Sequence, residues 1–197
     1  MKVVTRLILA VLLLAGTIFS LAGCGTLVDR TDKANYWVMI DGVQYNPGDP
    51  CSKFTEKFEL MFDQATKEIQ PNHGASASFY KKSNGGRLLT GLRNPDTATK
   101  PLDECIISAI TIDKENAEKF THHFIGGIKT KKSTTDDVRK VFGAPTHRTK
   151  KEKGAEPKLI WSYQCSVEDN VELFYAFGFD SKTEVLMECS IGLDKIR

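Results

Sequence analysis

Residues able to do chemistry are few and scattered along this chain. Four cysteines, Cys51, Cys105, Cys165 and Cys189, follow an N-terminal region that carries a fifth, Cys24. None stands in a CxxC or His/Cys spacing, so no metal ligand set is expected. His122 and His123 are neighbours in a β-prone run and point to opposite faces of it, poor geometry for joint metal binding. His73 and His147 fall in polar loops. Asp136 and Asp137 are consecutive on a predicted helix and do not share a face; in its first turn they answer the helix dipole. There is no G-x-S-x-G, P-loop or G-x-G-x-x-G. These patterns predict no catalytic residue, no metal and no cofactor.

The elements that carry these residues read as α+β: short helices packed on antiparallel β-sheet. In the first half, Tyr36–Ile40 is a strand candidate, Asp41-Gly42 a turn, and VQY a return strand. Asp49-Pro50 reads as a cap with proline in the first helical turn, and Phe54, Phe58, Met61 and Phe62 repeat at helical spacing. Gln70–Ser76 reads as loop, SFY and LLTGL as short strands, and Cys105–Ile112 as a strongly β-prone run. In the second half, His122–Ile128 reads as a strand with a glycine pair. Thr134 caps a helix with Val138, Val141 and Phe142 on its apolar side and Gly143 and Pro145 at its end. After the polar loop RTKKEKGAEPK, the runs Leu159–Val167, Val171–Phe179 and Val185–Leu193 form an antiparallel meander. Alternation puts Trp161, Tyr163, Cys165, Leu173, Tyr175, Phe177, Met187, Cys189 and Ile191 on its apolar face, and Ser162, Gln164, Glu172, Glu188 and Ser190 on the other. Aromatics at this spacing are core. The stretches from Ile40 and from Ile125 both run strand, glycine, polar loop and capped helix, which predicts two tandem related helix-plus-meander units, 36–115 and 116–197.

The N-terminus reads as an address. Lys2 and Arg6 precede Leu7–Leu21, which is free of charge and shorter than the ~20 residues a membrane-spanning helix needs. It ends in Leu21-Ala22-Gly23-Cys24, which resembles a bacterial lipobox. That resemblance implies cleavage after residue 23 and lipidation of Cys24. Two acyl chains, at ~0.8 kcal/mol per buried methylene, would tether residues 24–35 as a linker to a membrane on the extracytoplasmic side. Outside the cytoplasm the other four cysteines invite disulfides. Cys165 and Cys189 are expected on strands separated by a third, roughly 9–10 Å apart and beyond the ~7 Å limit for a bridge. They read as buried thiols. Cys51 with Cys105, both at edges of first-half elements, is the pair to test.

GIKTKKSTTDDVRKVFGAPTHR, WSYQC, FYAFGFD and VLMECSI together resemble the pattern of SmpA/OmlA-type small exported lipoproteins and the related beta-lactamase-inhibitor-like fold, over roughly Gly127–Leu193, with KTKKST replacing the shorter Met-Thr turn usual there. The resemblance implies a non-enzymatic α+β module that binds proteins or supports the cell envelope, and it transfers no ligand-binding residue. The other classes are a small-ligand sensor or hydrolase, which needs a histidine near a carboxylate in a deep pocket, and an inhibitor of an extracellular enzyme, which needs aromatics exposed on the sheet.

Charge narrows the partners. The 27 basic and 25 acidic side chains give +2, and removing residues 1–23 takes Lys2 and Arg6 and leaves 25 of each. A neutral domain argues against nucleic acid. An electrostatic partner needs a local patch, and Lys129, Lys131, Lys132, Arg148, Lys150, Lys151 and Lys153 are the candidates for an anionic lipid or wall polymer.

Overall fold

The structure is a computed structural model that describes residues 27–61, 67–151, 158–167 and 171–195; the signal segment, Cys24, Phe62 and Lys153 lie outside them. The described residues are mainly antiparallel strand with little helix. In chain order they form β1 (Val38–Ile40), β2 (Val43–Tyr45), α1 (Ser52–Thr55), β3 (Phe58–Met61), β4 (Glu68–Ile69), β5 (Gly74–Lys81), β6 (Arg87–Arg93), β7 (Lys100–Pro101) and β8 (Ile106–Asp113). The second half supplies β9 (His122–Phe124), α2 (Thr135–Phe142), β10 (His147–Lys151), β11 (Lys158–Val167), β12 (Val171–Asp180) and β13 (Leu186–Lys195).

The main sheet has eight strands in the order β10-β11-β12-β13-β8-β6-β5-β3. The first-half meander and the second-half meander thus join through their last strands, β8 and β13. A smaller sheet, β2-β1-β9, also takes strands from both halves, with Val38 opposite Phe124 and Ile40 opposite His122.

Strict alternation sends one side of the large sheet into the core. Trp161, Phe177, Cys189 and Ile112 form one buried row across four strands, and Tyr163, Tyr175, Ile191 and Ile110 form the next. Over these rows α2 places Phe142, its ring centroid 5.0 Å from Tyr163, 5.0 Å from Tyr175 and 5.3 Å from Phe177. The expected cap on α2 is present as a full capping box. Thr134 Oγ1 accepts from the Asp137 N–H, and the Asp137 carboxylate accepts from the Thr134 N–H at 3.0 Å, which holds that carboxyl below its ordinary range. Such caps contribute ~1 kcal/mol.

Several elements differ from the sequence expectation. The helix expected through Phe62 stops at Thr55, because Phe58 and Leu60 alternate and pair with Lys81 and Phe79 as β3. Phe54 to Phe58 is one helical turn and equally a helix-to-strand junction; the pairing partner decides. The strand expected over His122–Ile128 ends at Phe124, where Ile125–Gly127 turn back so that Phe124 bridges Ile128. The polar loop after Pro145 contains β10, and the loop before SFY contains the start of β5. Residues 27–35, expected as free linker, are held to the body. The Val28 N–H donates to Val141 O at 2.8 Å, and Tyr36 stacks on Tyr175 at 5.2 Å. The Tyr175 hydroxyl accepts from the Trp37 N–H at 3.0 Å and faces the carbonyls of Asn35 and Trp37.

At the centre of the sheet β8 bulges. Leu92 pairs with Ile107 and Gly91 with Ala109, so Ser108 has no partner on β6. Glycines flank it on both neighbouring strands. A methyl at Gly91 would lie 2.5 Å from Ser108 Oγ, and one at Gly192 would lie 2.9 Å from Ser108 O and 2.5 Å from Phe174 Cζ. Gly192→Val is therefore expected to cost about 1–3 kcal/mol by overpacking, read as a lower urea midpoint at unchanged slope. A midpoint equal to that of the parent would contradict this packing.

Candidate functional site

The side of the large sheet away from the core is where the described surface is most distinctive. One row crosses all eight strands: His147, Ser162, Ala176, Ser190, Thr111, Leu89, Ser78 and Met61. The next row reads Gln164, Phe174, Gly192, Ala109, Gly91 and Ser76. Most of these side chains are small, so the middle of the face is a floor of backbone, hydroxyls and methyls. Thr111 Oγ1 and Ser190 Oγ meet at 2.8 Å across the junction of the two meanders. Beside it lies a depression of about 390 Å³ floored by Ser76, Ser78, Gly91, Ala109 and Thr111 and edged by Met61, itself 52% exposed. Phe174 lies over Gly192, and Lys158 pairs with Glu188 at 3.2 Å on the same face. A surface of this kind offers shape and exposed hydroxyls to a protruding partner, with little charge in its middle.

The histidines and the two helix aspartates singled out for chemistry are not brought together. His122 is buried and its ring is committed to backbone: Nε2 accepts from the Thr130 N–H at 3.2 Å and Nδ1 lies 3.3 Å from the Phe120 carbonyl. That arrangement is the neutral imidazole protonated on Nδ1, and burial lowers its pKa below 6.5. His123 points the other way, edge-on to Trp37 at 5.8 Å. His73 faces the Pro71 carbonyl in an exposed turn, and His147 opens β10. Among the described residues no group of three His, Cys, Asp or Glu side chains could hold a metal. Asp136 is exposed beside Arg139, whereas Asp137 belongs to the capping box.

The basic residues fall into two groups. Lys129, Lys131 and Lys132 edge a cleft of about 370 Å³ with His122, and Lys131 is paired to Glu118 at 2.5 Å. Arg148, Lys150 and Lys151 lie on the edge strand β10, with the Arg148 guanidinium over Trp161 at 5.0 Å and Arg139 over the same ring at 5.2 Å. Lysines on an edge strand also guard it against pairing with another chain.

Cys165 and Cys189 are buried on β11 and β13 with β12 between them, as expected. Burial drives the Cys189 thiol well above its ordinary range. Cys51 and Cys105, both free and fully buried, are neighbours: the Cys51 N–H donates to Cys105 O at 2.9 Å.

The open face itself was only half visible beforehand. Ser162, Gln164, Glu172, Glu188 and Ser190 fell on the polar side of the second meander, but the first-half contribution from Ser76, Ser78, Gly91 and Thr111 depends on strand pairing. Compared with family models, curated proteins and solved structures, the chain matches none.

His122 gives a pH test. Its pKa is lower folded than unfolded, so the unfolded chain binds the extra proton; the contribution is complete above about pH 7 and is lost as pH falls through 6.5 toward the lowered value. The urea midpoint is expected to drop between pH 7.5 and pH 5.5, and His122→Gln, which keeps an acceptor for the Thr130 N–H, is expected to flatten that drop. An unchanged slope in the variant would assign it elsewhere.

Proposed function

We propose that this protein is a lipid-anchored extracytoplasmic binding module, with Cys24 as the lipidated residue and the open face of the eight-stranded sheet as the surface that receives a protein partner. The observation that carries the reading is the row of small residues that crosses the junction of the two meanders, Ser162, Ala176, Ser190 and Thr111, and continues past Leu89 to Ser78. A sheet with one solvated face commonly carries long charged side chains there; the two central rows here carry none, and Arg87 stands beside them at the depression.

The duplicated architecture supports the same reading. In each half a short strand and glycine turn lead to a helix and then a four-stranded meander, and the two meanders meet last strand to last strand. We read 36–115 and 116–197 as tandem related units whose helices cover one face of the joint sheet; the second contains the helix and meander that a resemblance to SmpA/OmlA-type lipoproteins and beta-lactamase-inhibitor-like proteins implies over Gly127–Leu193. The partner reading therefore includes an extracellular enzyme held in inhibited form, which the position of Phe174 on the open face favours.

The lipobox-like LAGC carries the anchor. Gly25 and Thr26 separate Cys24 from Leu27, and three Cα steps of ~3.5 Å reach at most about 11 Å, so the domain would sit close against its membrane. On this reading Arg30, Arg139 and Arg148, near the docked N-terminal segment, would face the membrane.

Metabolic labelling with palmitate is expected to mark the full chain and to be abolished by Cys24→Ser; labelling that survives the change overturns the anchor. For the face, Ala176→Arg is expected to reduce recovery of the membrane partner at least tenfold while shifting stability by no more than about 0.5 kcal/mol, as surface changes do. Equal recovery by the variant would move the partner off the sheet.

A further inference from the structure

Of the four cysteines in the described residues, two flank the same isolated β-bridge. Pro50 and Ile106 form an antiparallel bridge, flanked on one side by the Ile107 N–H to Asp49 O bond at 2.8 Å and on the other by the Cys51 N–H to Cys105 O bond at 2.9 Å. Cys51 and Cys105 are thus directly opposite, one step beyond the bridge. A backbone bond of this kind brings the two Cα atoms to ~5.5 Å, inside the 4.4–6.8 Å range that a disulfide spans, and the Cys105 thiol lies near enough to push the Cys51 pKa up. Both side chains are fully buried in the same core. Cys165 and Cys189 have no such relation, since Cys165 faces Leu173 and Cys189 faces Phe177 and Ile112.

We propose that Cys51 and Cys105 are a disulfide-forming pair that closes when the chain folds outside a reducing compartment, tying the entrance of α1 to the start of β8. In the step two S–H bonds break and one S–S bond forms. Two electrons and two protons pass to a second disulfide, that of an exported thiol oxidase or of oxidised glutathione, which leaves as two thiols. The Cys105 thiol gives up its contact with the Pro101 carbonyl, now 3.3 Å away. Closure must accompany folding, because burial pushes the Cys51 thiol up to about 12 and removes the thiolate that exchange requires. The same burial keeps the closed bond from reductant until the fold opens.

The bridge would enclose β3 to β7 and end at the strand that joins the two meanders. It therefore holds the first meander closed at the entrance of the strand that carries the second along Ala109–Asp113. The export of the chain rests on the anchor reading above, and the pairing itself does not.

The test has two arms. Full-length protein isolated from membranes of an exporting host is denatured and alkylated without reductant: Cys165 and Cys189 are expected to be modified, with a linked peptide joining Cys51 and Cys105. Reduced protein refolded with oxidised glutathione is expected to give the same linked peptide. A linked peptide in the refolding arm with free thiols in the cellular arm keeps the pair and contradicts export. Alkylation of all four in both arms, or a link to Cys165 or Cys189, overturns the proposal. Reductant is expected to lower the thermal midpoint of the oxidised protein. Cys51→Ser and Cys105→Ser are expected to lower it equally and to show no further loss with reductant.

Discussion

The pairing of β8 with β13 is the contact on which the rest of the molecule depends. Five residue pairs from Glu188 with Asp113 to Gly192 with Ala109 turn two four-stranded meanders into one sheet. Without it each half would present a long open edge and a half-covered apolar face, and short strands with little helix would have no way to bury Ile110, Ile112, Cys189 and Ile191. The junction is unusually close. Gly192 lets the Ser108 bulge and the ring of Phe174 approach the backbone, and Gly91 does the same from the other side, so the centre of the sheet is thin, bent and floored by small groups.

From that junction follow both the stability and the candidate activity. The apolar side is continuous across it and receives Phe142, Val138 and Phe54 from the two helices, while β1 and β9 clamp the halves a second time. The opposite side inherits a row of hydroxyls and methyls whose register neither half could set alone. The docked N-terminal segment links this body to the residue proposed to carry the lipid.

Much of the second half was legible because its signals are local. The capping residues Thr134 and Asp137, the terminating Gly143, and the alternation of Trp161, Tyr163 and Cys165 each act within a few residues. The nearness of Cys51 and Cys105 matches their places at element edges, with both thiols free. What was not legible is non-local. Phe58 and Leu60 satisfy a helix and a strand about equally, and only the pairing with β5 selects the strand. Arg148, Lys150 and Lys151 look like a solvated loop until β11 is there to receive them. The open face has no sequence signature beyond small residues at alternate positions, and its meaning appears only when Ser190 is set against Thr111. For the same reason the six described basic residues of the expected patch separate into two groups on different elements.

The central claim is that a partner sits on the joint face of the sheet. A photo-activated benzophenone amino acid placed at Leu89, in the eight-strand row, tests it in intact cells, with the same probe at Lys140 on the exposed side of α2 as the reference. The account predicts a discrete cross-linked product of one envelope or extracellular protein from position 89 and none from position 140. Products from position 140 alone, or equal products from both, would contradict it.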